Sequence, residues 1–111
     1  MKTLADLKTA LEGINEGAFQ GKVAYRAFPA EAAPELPFIC LLETETDNFT
    51  ADCKVYQKRQ YVHIELYSSQ KDQTSENAIE AMLDTNEIIW DKAEDFIESE
   101  EMLEVIYEVV I

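Results

Sequence analysis

Scarcity is the first feature of this chain, and positive charge is the scarcest thing in it. Nine lysines and arginines stand against 23 aspartates and glutamates, a formal net charge of −14 over 111 residues. The deficit is lopsided: residues 1–71 hold ten acids and eight bases, whereas residues 72–111 hold thirteen acids and one base, Lys92. A surface of that sign cannot neutralise phosphates, which argues against ordinary binding to DNA or to anionic membrane.

Glycine is nearly as rare, at positions 13, 17 and 21 only. Backbone amides reach a phosphate where glycines make room, and these three have neither the Walker nor the dinucleotide spacing, which argues against nucleotide binding by those routes. The serines, Ser68, Ser69, Ser75 and Ser99, lie in no Gly-x-Ser-x-Gly elbow, and His63 is the single histidine, so a nucleophile–base–acid triad has no natural members. Cys40 and Cys53 are thirteen positions apart with no second Cys or His at ligand spacing; they read as reduced residues of an intracellular chain. Nowhere do about 18 apolar residues run together, and Asp6 interrupts the N-terminal segment, so neither membrane insertion nor a cleaved secretory leader is predicted.

What is present suffices for a core. Apolar residues make up 47% of the chain, enough for one packed domain over 1–111. Thr3 and Asp6 resemble a capping box, and Leu4, Leu7, Leu11 and Ile14 recur at helical spacing, predicting a helix over 3–15. A short strand follows over 22–28, and then a loop over 29–37, where three prolines remove ladder donors. The apolar run 38–43 reads as a strand covered on both faces, followed by a polar segment 44–48 and an excursion over 49–54 with some extended structure.

From about residue 55 or 58 to 67 the alternation is that of a long strand, with His63 on the face opposite Val62, Ile64 and Leu66. Asp72, Thr74 and Ser75 offer caps for a second helix over 73–85, with Ala78, Ile79, Met82 and Leu83 on one stripe and Glu76, Glu80 and Asp84 on another. A strand is predicted from Ile88 through Ile97, a turn at 99–101, and a last strand from Met102 to the final residue. That strand is apolar on both faces, so it should be central or covered. The order αβββαββ predicts an α+β fold, a mostly antiparallel sheet with two helices packed on one face.

Acids at Glu43, Glu45 and Asp47, or at Glu94, Asp95 and Glu98, lack the glycine-centred loop of a calcium site and read as solvated faces. No catalytic, metal or cofactor-binding residue is therefore assigned. Five acids, Glu87, Asp91, Glu94, Asp95 and Glu98, form the candidate functional set, as the lining or rim of a channel.

Several segments carry a family likeness: Pro37-Phe38-Ile39-Cys40-Leu41-Leu42, Asp47 to Asp52 with Lys54 to Lys58, Val62 to Tyr67, Lys71-Asp72 and Trp90 to Glu100. In order and spacing they resemble small tail-completion or tail-terminator proteins from the head-to-tail joining region of long-tailed phages and prophages of Gram-positive bacteria. The likeness spans residues 37–111. It implies a non-catalytic virion subunit, made in the host cytoplasm, that assembles as a ring, typically a hexamer. Such a ring caps the tail tube and docks it to the head connector, and DNA passes through it without specific binding.

Two other readings use the same residues. An acidic mimic of DNA would place carboxylates where phosphates stand and inhibit a nucleic-acid-binding host protein. A small enzyme with a carboxylate site ranks last, since nothing in the chain points to a nucleophile, base or cofactor.

Overall fold

A computed structural model of the chain describes residues 3–51 and 54–111, and for 45–51 and 54–59 it describes the backbone alone. The elements are α1 (Leu4–Gly13), β1 (Val23–Tyr25), β2 (Phe38–Ala51), β3 (Lys54–Ser68), α2 (Gln73–Thr85), β4 (Trp90–Ile97) and β5 (Met102–Val110), with 3-10 turns at Ile14–Gly17 and Glu98–Glu100. The α+β class and the order αβββαββ are those predicted. Five strands form one sheet in the order β1-β2-β3-β5-β4, parallel only where β1 meets β2.

Both helices start where the sequence offers caps. Thr3 Oγ1 accepts a hydrogen bond from the Asp6 amide at 3.1 Å, and Asp72 Oδ1 accepts one from the Ser75 amide at 3.1 Å. Each satisfies an amide that has no partner within its helix. Helix α1 stops at Gly13, before the predicted end at 15, because Asn15 and Glu16 adopt left-handed backbone angles. Gly21, at φ +74°, then turns the chain into β1 while its amide donates to Glu12 Oε2 at 3.1 Å.

Three strand boundaries differ from expectation. Strand β1 covers only Val23–Tyr25 because Arg26 takes φ +68°, although its amide still donates to Leu41 O at 2.7 Å. Strand β2 does not end near residue 43: it continues through the polar segment to Ala51, because β3 supplies an antiparallel partner all the way to Lys54. An antiparallel ladder is satisfied by backbone pairing, so a polar stretch can be held extended by its neighbour. Strand β4 begins at Trp90 and not at Ile88, whose amide donates to Leu83 O at 2.9 Å and so helps to close the end of α2.

The core lies on one face of the sheet. Register places Leu41 opposite Ile64 and Ile64 opposite Tyr107, with Ile39, Leu66 and Val105 forming the next row. These residues belong to one buried cluster with Leu7 and Leu11 of α1 and Ile79 and Leu83 of α2, so both helices cover the same face. Leu4 and Met82, predicted core members, are partly buried at its margin. Strand β5 lies between β3 and β4, which removes the edge hazard of its apolar ending.

Leu83 is fully buried. Leu83→Ala is expected to destabilise the fold by about 2–5 kcal/mol, from lost transfer energy plus the cavity left behind. Chemical denaturation checks this, and a loss under about 0.5 kcal/mol, the size of an ordinary surface substitution, would misplace the core.

Candidate functional site

The predicted acids fall along one border of the molecule. Asp91, Glu94 and Asp95 lie in the edge strand β4, Glu87 in the turn that enters it and Glu98 in the 3-10 turn that leaves it, and all five are exposed. They do not share one face. In the β4–β5 register Asp91 stands opposite Glu108 and Asp95 opposite Glu104, on the side away from the helices, whereas Glu94 stands opposite buried Val105, on the helix side.

Glu94 is part of a charge network that the sequence did not suggest. Glu76 of α2, fully buried, is reached by two ammonium groups. Lys71 Nζ lies 2.9 Å from its Oε2 and 2.6 Å from Glu94 Oε1, and Lys92 Nζ lies 3.2 Å from Glu76 Oε1 and 2.8 Å from Glu80 Oε2. The buried Tyr107 hydroxyl donates to the same Glu80 oxygen at 2.7 Å. Nearby, Trp90 donates its indole N–H to Asp84 Oδ1 at 2.9 Å and sets its ring against Tyr107, centroids 5.7 Å apart. Glu76, Glu80 and Asp84, which four-residue spacing marks as a polar stripe, thus tie α2 to β4 and β5.

The titration shifts follow from these contacts. Hydrogen bonds donated to Glu94 and then to Glu76 hold Lys71 above the usual lysine range, and the bond donated to Glu80 does the same for Lys92. Burial alone would raise Glu80, but the bonds from Lys92 and Tyr107 outweigh it and lower its carboxyl. A lowered acid stabilises the fold above its unfolded pKa and loses that stability as pH falls through the folded value; a raised lysine stabilises below its unfolded pKa and loses that as pH rises through the folded value. The network therefore holds across neutral pH and fails at both extremes.

The other face of the sheet carries no helix among the described residues. Across it run Leu42, His63, Glu108 and Asp91 in one row, Cys40, Glu65, Ile106 and Ala93 in the next, and Phe38, Tyr67, Glu104 and Asp95 in a third. His63 Nε2 lies 3.2 Å from Glu108 Oε1. The Tyr67 hydroxyl donates to Glu104 Oε2 at 2.8 Å and to Glu65 Oε1 at 3.3 Å. Burial first, and then the charge of Glu104, raises the Glu65 carboxyl. A cavity of about 280 Å³ opens beside Tyr61, His63, Asp91 and Val110, and a second of about 170 Å³ lies along His63, Ala93 and Ile106.

No family model and no curated protein matches the chain. Its chemistry is therefore judged from these contacts. Burial, and then Glu65 and Glu104, push the Cys40 thiol up to about 11, the opposite of an activated nucleophile. Among the described residues no group of three or more His, Cys, Asp or Glu side chains is placed to hold a metal ion. Cys40 is a free buried thiol, whereas Cys53 lies outside the described residues, as do the side chains of Glu45 and Asp47.

Two measurements test the electrostatics. Lys92→Met leaves buried Glu76 with Lys71 alone, and is expected to cost about 1–3 kcal/mol and to speed amide exchange in 90–97 above that in β3. Unchanged exchange in β4 would show that the network does not hold that edge. Glu65 has the opposite sign: its folded carboxyl is raised, so ionising it costs stability as pH rises through the interval between its unfolded and folded pKa. Glu65→Gln is expected to melt above the wild type at neutral pH and to lose that advantage at a pH where both states are protonated. A variant that melts lower at neutral pH would mean that the Tyr67 bond outweighs the repulsion.

Proposed function

We propose that the chain is a non-catalytic structural subunit that forms a ring, read as a hexamer, at the end of a phage tail tube and joins it to the head connector. It would act in the virion and assemble in the host cytoplasm. The observation that carries the reading is the row of exposed acids along the β4 border, with Glu87 and Glu98 at its two ends. Such a border, turned to the lumen, repels phosphate and lets DNA pass without adhering. Mutual repulsion among like charges is a cost of that arrangement. The network through Lys71 and Lys92 offsets part of it by holding the acidic strand to α2. The likeness of residues 37–111 to tail-completion proteins supports the same role.

The test separates joining from passage. Glu87, Asp91, Asp95 and Glu98 are changed together to lysine in the encoding phage, and Glu94 is left because it holds Lys71. Heads and tails are expected to join while DNA delivery falls, since the lumen would attract phosphate. Normal delivery would reduce the charge to a solubility feature. Intact joining in a deletion, with a tight and salt-sensitive complex between the chain and a basic host protein, would favour the DNA mimic.

A further inference from the structure

On the helix-free face one hydroxyl proton serves two carboxylates. The Tyr67 hydroxyl donates to Glu104 Oε2 at 2.8 Å and to Glu65 Oε1 at 3.3 Å. Glu104 stands directly opposite Tyr67 in the β3–β5 register, and Glu65, two residues before Tyr67 on β3, is the diagonal neighbour of Glu104 on the same face. The two carboxyls also lie within hydrogen-bonding reach of each other. Ionised carboxylates only accept, so a bond between them requires a proton that neither supplies. With a single O–H shared between two acceptors, the longer bond, that to Glu65, is the weaker.

The surroundings do not supply the missing charge. Cys40 faces Glu65 from β2, and its thiol, pushed up to about 11, is neutral at physiological pH. Asp95 faces Glu104 from β4 and adds a like charge. Along β5 lies Glu108, beside His63 and opposite Asp91. His63 favours the ionised form of Glu65, but burial and Glu104 outweigh it. Phe38 sets its ring 5.3 Å from that of Tyr67, and Phe28 sets its own 5.4 Å from Phe38, so the aromatic side is uncharged. Among the described residues no lysine or arginine pairs with either carboxyl.

We infer that Glu65 and Glu104 are a proton-sharing pair that switches the helix-free face between two states. With both ionised, the Tyr67 hydroxyl alone bridges them and the carboxylates repel. On acidification one proton enters at Glu65, whose O–H then donates to Glu104, and the Tyr67 hydroxyl turns wholly to Glu104. The step adds one proton and removes one negative charge from a face that also holds Asp91, Asp95 and Glu108. Burial, and then the charge of Glu104, place it above the ordinary glutamate range. Because the folded chain holds a proton that the unfolded chain has lost, the switch adds stability as pH falls through the interval between the two pKa values and removes it as pH rises. It stands on the sheet alone and goes beyond the tail reading.

Carbon-13 NMR of the glutamate carboxyls in the intact chain reads it, over a titration from about pH 7.5 to about pH 3.5 that spans the ordinary glutamate value. The Glu65 signal is expected to move at a midpoint above about 4.3, and the Glu104 signal to move in part at that same midpoint, the mark of a shared proton. Glu104→Gln should lower the Glu65 midpoint by about one pH unit, the coupling at which two groups titrate as a pair. Tyr67→Phe should raise it, since the hydroxyl favours the ionised form. Glu65→Gln should remove the upper step from the Glu104 signal, an independent reading should either of the other variants misfold. A Glu65 midpoint unmoved by Glu104→Gln would leave burial as its only cause and overturn the sharing. So would a Glu104 signal that stays still at the Glu65 midpoint.

Discussion

The pairing of β3 with β5 is the constraint on which the rest of the molecule depends. It sets Ile64 against Tyr107 and Leu66 against Val105 on one face, and His63 against Glu108 and Tyr67 against Glu104 on the other. Because side chains alternate strictly, a slip of one residue would carry the carboxylates into the core and the apolar row into water. Hydrophobic burial under α1 and α2 thus selects a single register. That register in turn assembles the acidic row of the opposite face.

Charge is managed differently on the two faces. On the helix side the carboxylates are paired: Glu76 can be fully buried because Lys71 and Lys92 reach it, and Glu80 accepts from both Lys92 and Tyr107. A buried carboxylate without such partners would be prohibitively costly. On the open side no ammonium reaches Glu65 among the described residues, and burial, and then the charge of Glu104, raise its carboxyl although the Tyr67 hydroxyl donates to it.

Much of the architecture was legible because it rests on local periodicity. Leu7, Leu11, Ile79 and Leu83 mark themselves by helical spacing, and Val62, Ile64 and Leu66 by alternation, so the helices and the core face follow from residue order. The caps at Thr3 and Asp72 are equally local. Boundaries that depend on a partner were not legible: nothing between 44 and 48 announces a strand, because the reason for that strand is the neighbouring β3.

The candidate acids divide in the same way. Their number and their concentration after residue 72 belong to the sequence alone, as does the scarcity of glycine, serine and histidine motifs on which the non-catalytic reading rests. Only the tertiary structure decided that Glu94 is engaged with Lys71 while Asp91 and Asp95 look the other way, and that Glu76, in a polar stripe, is buried. The reason is physical. Helical and strand periods are written in neighbouring residues, whereas an ion pair between positions 76 and 92 exists only once β5 has brought β4 alongside α2.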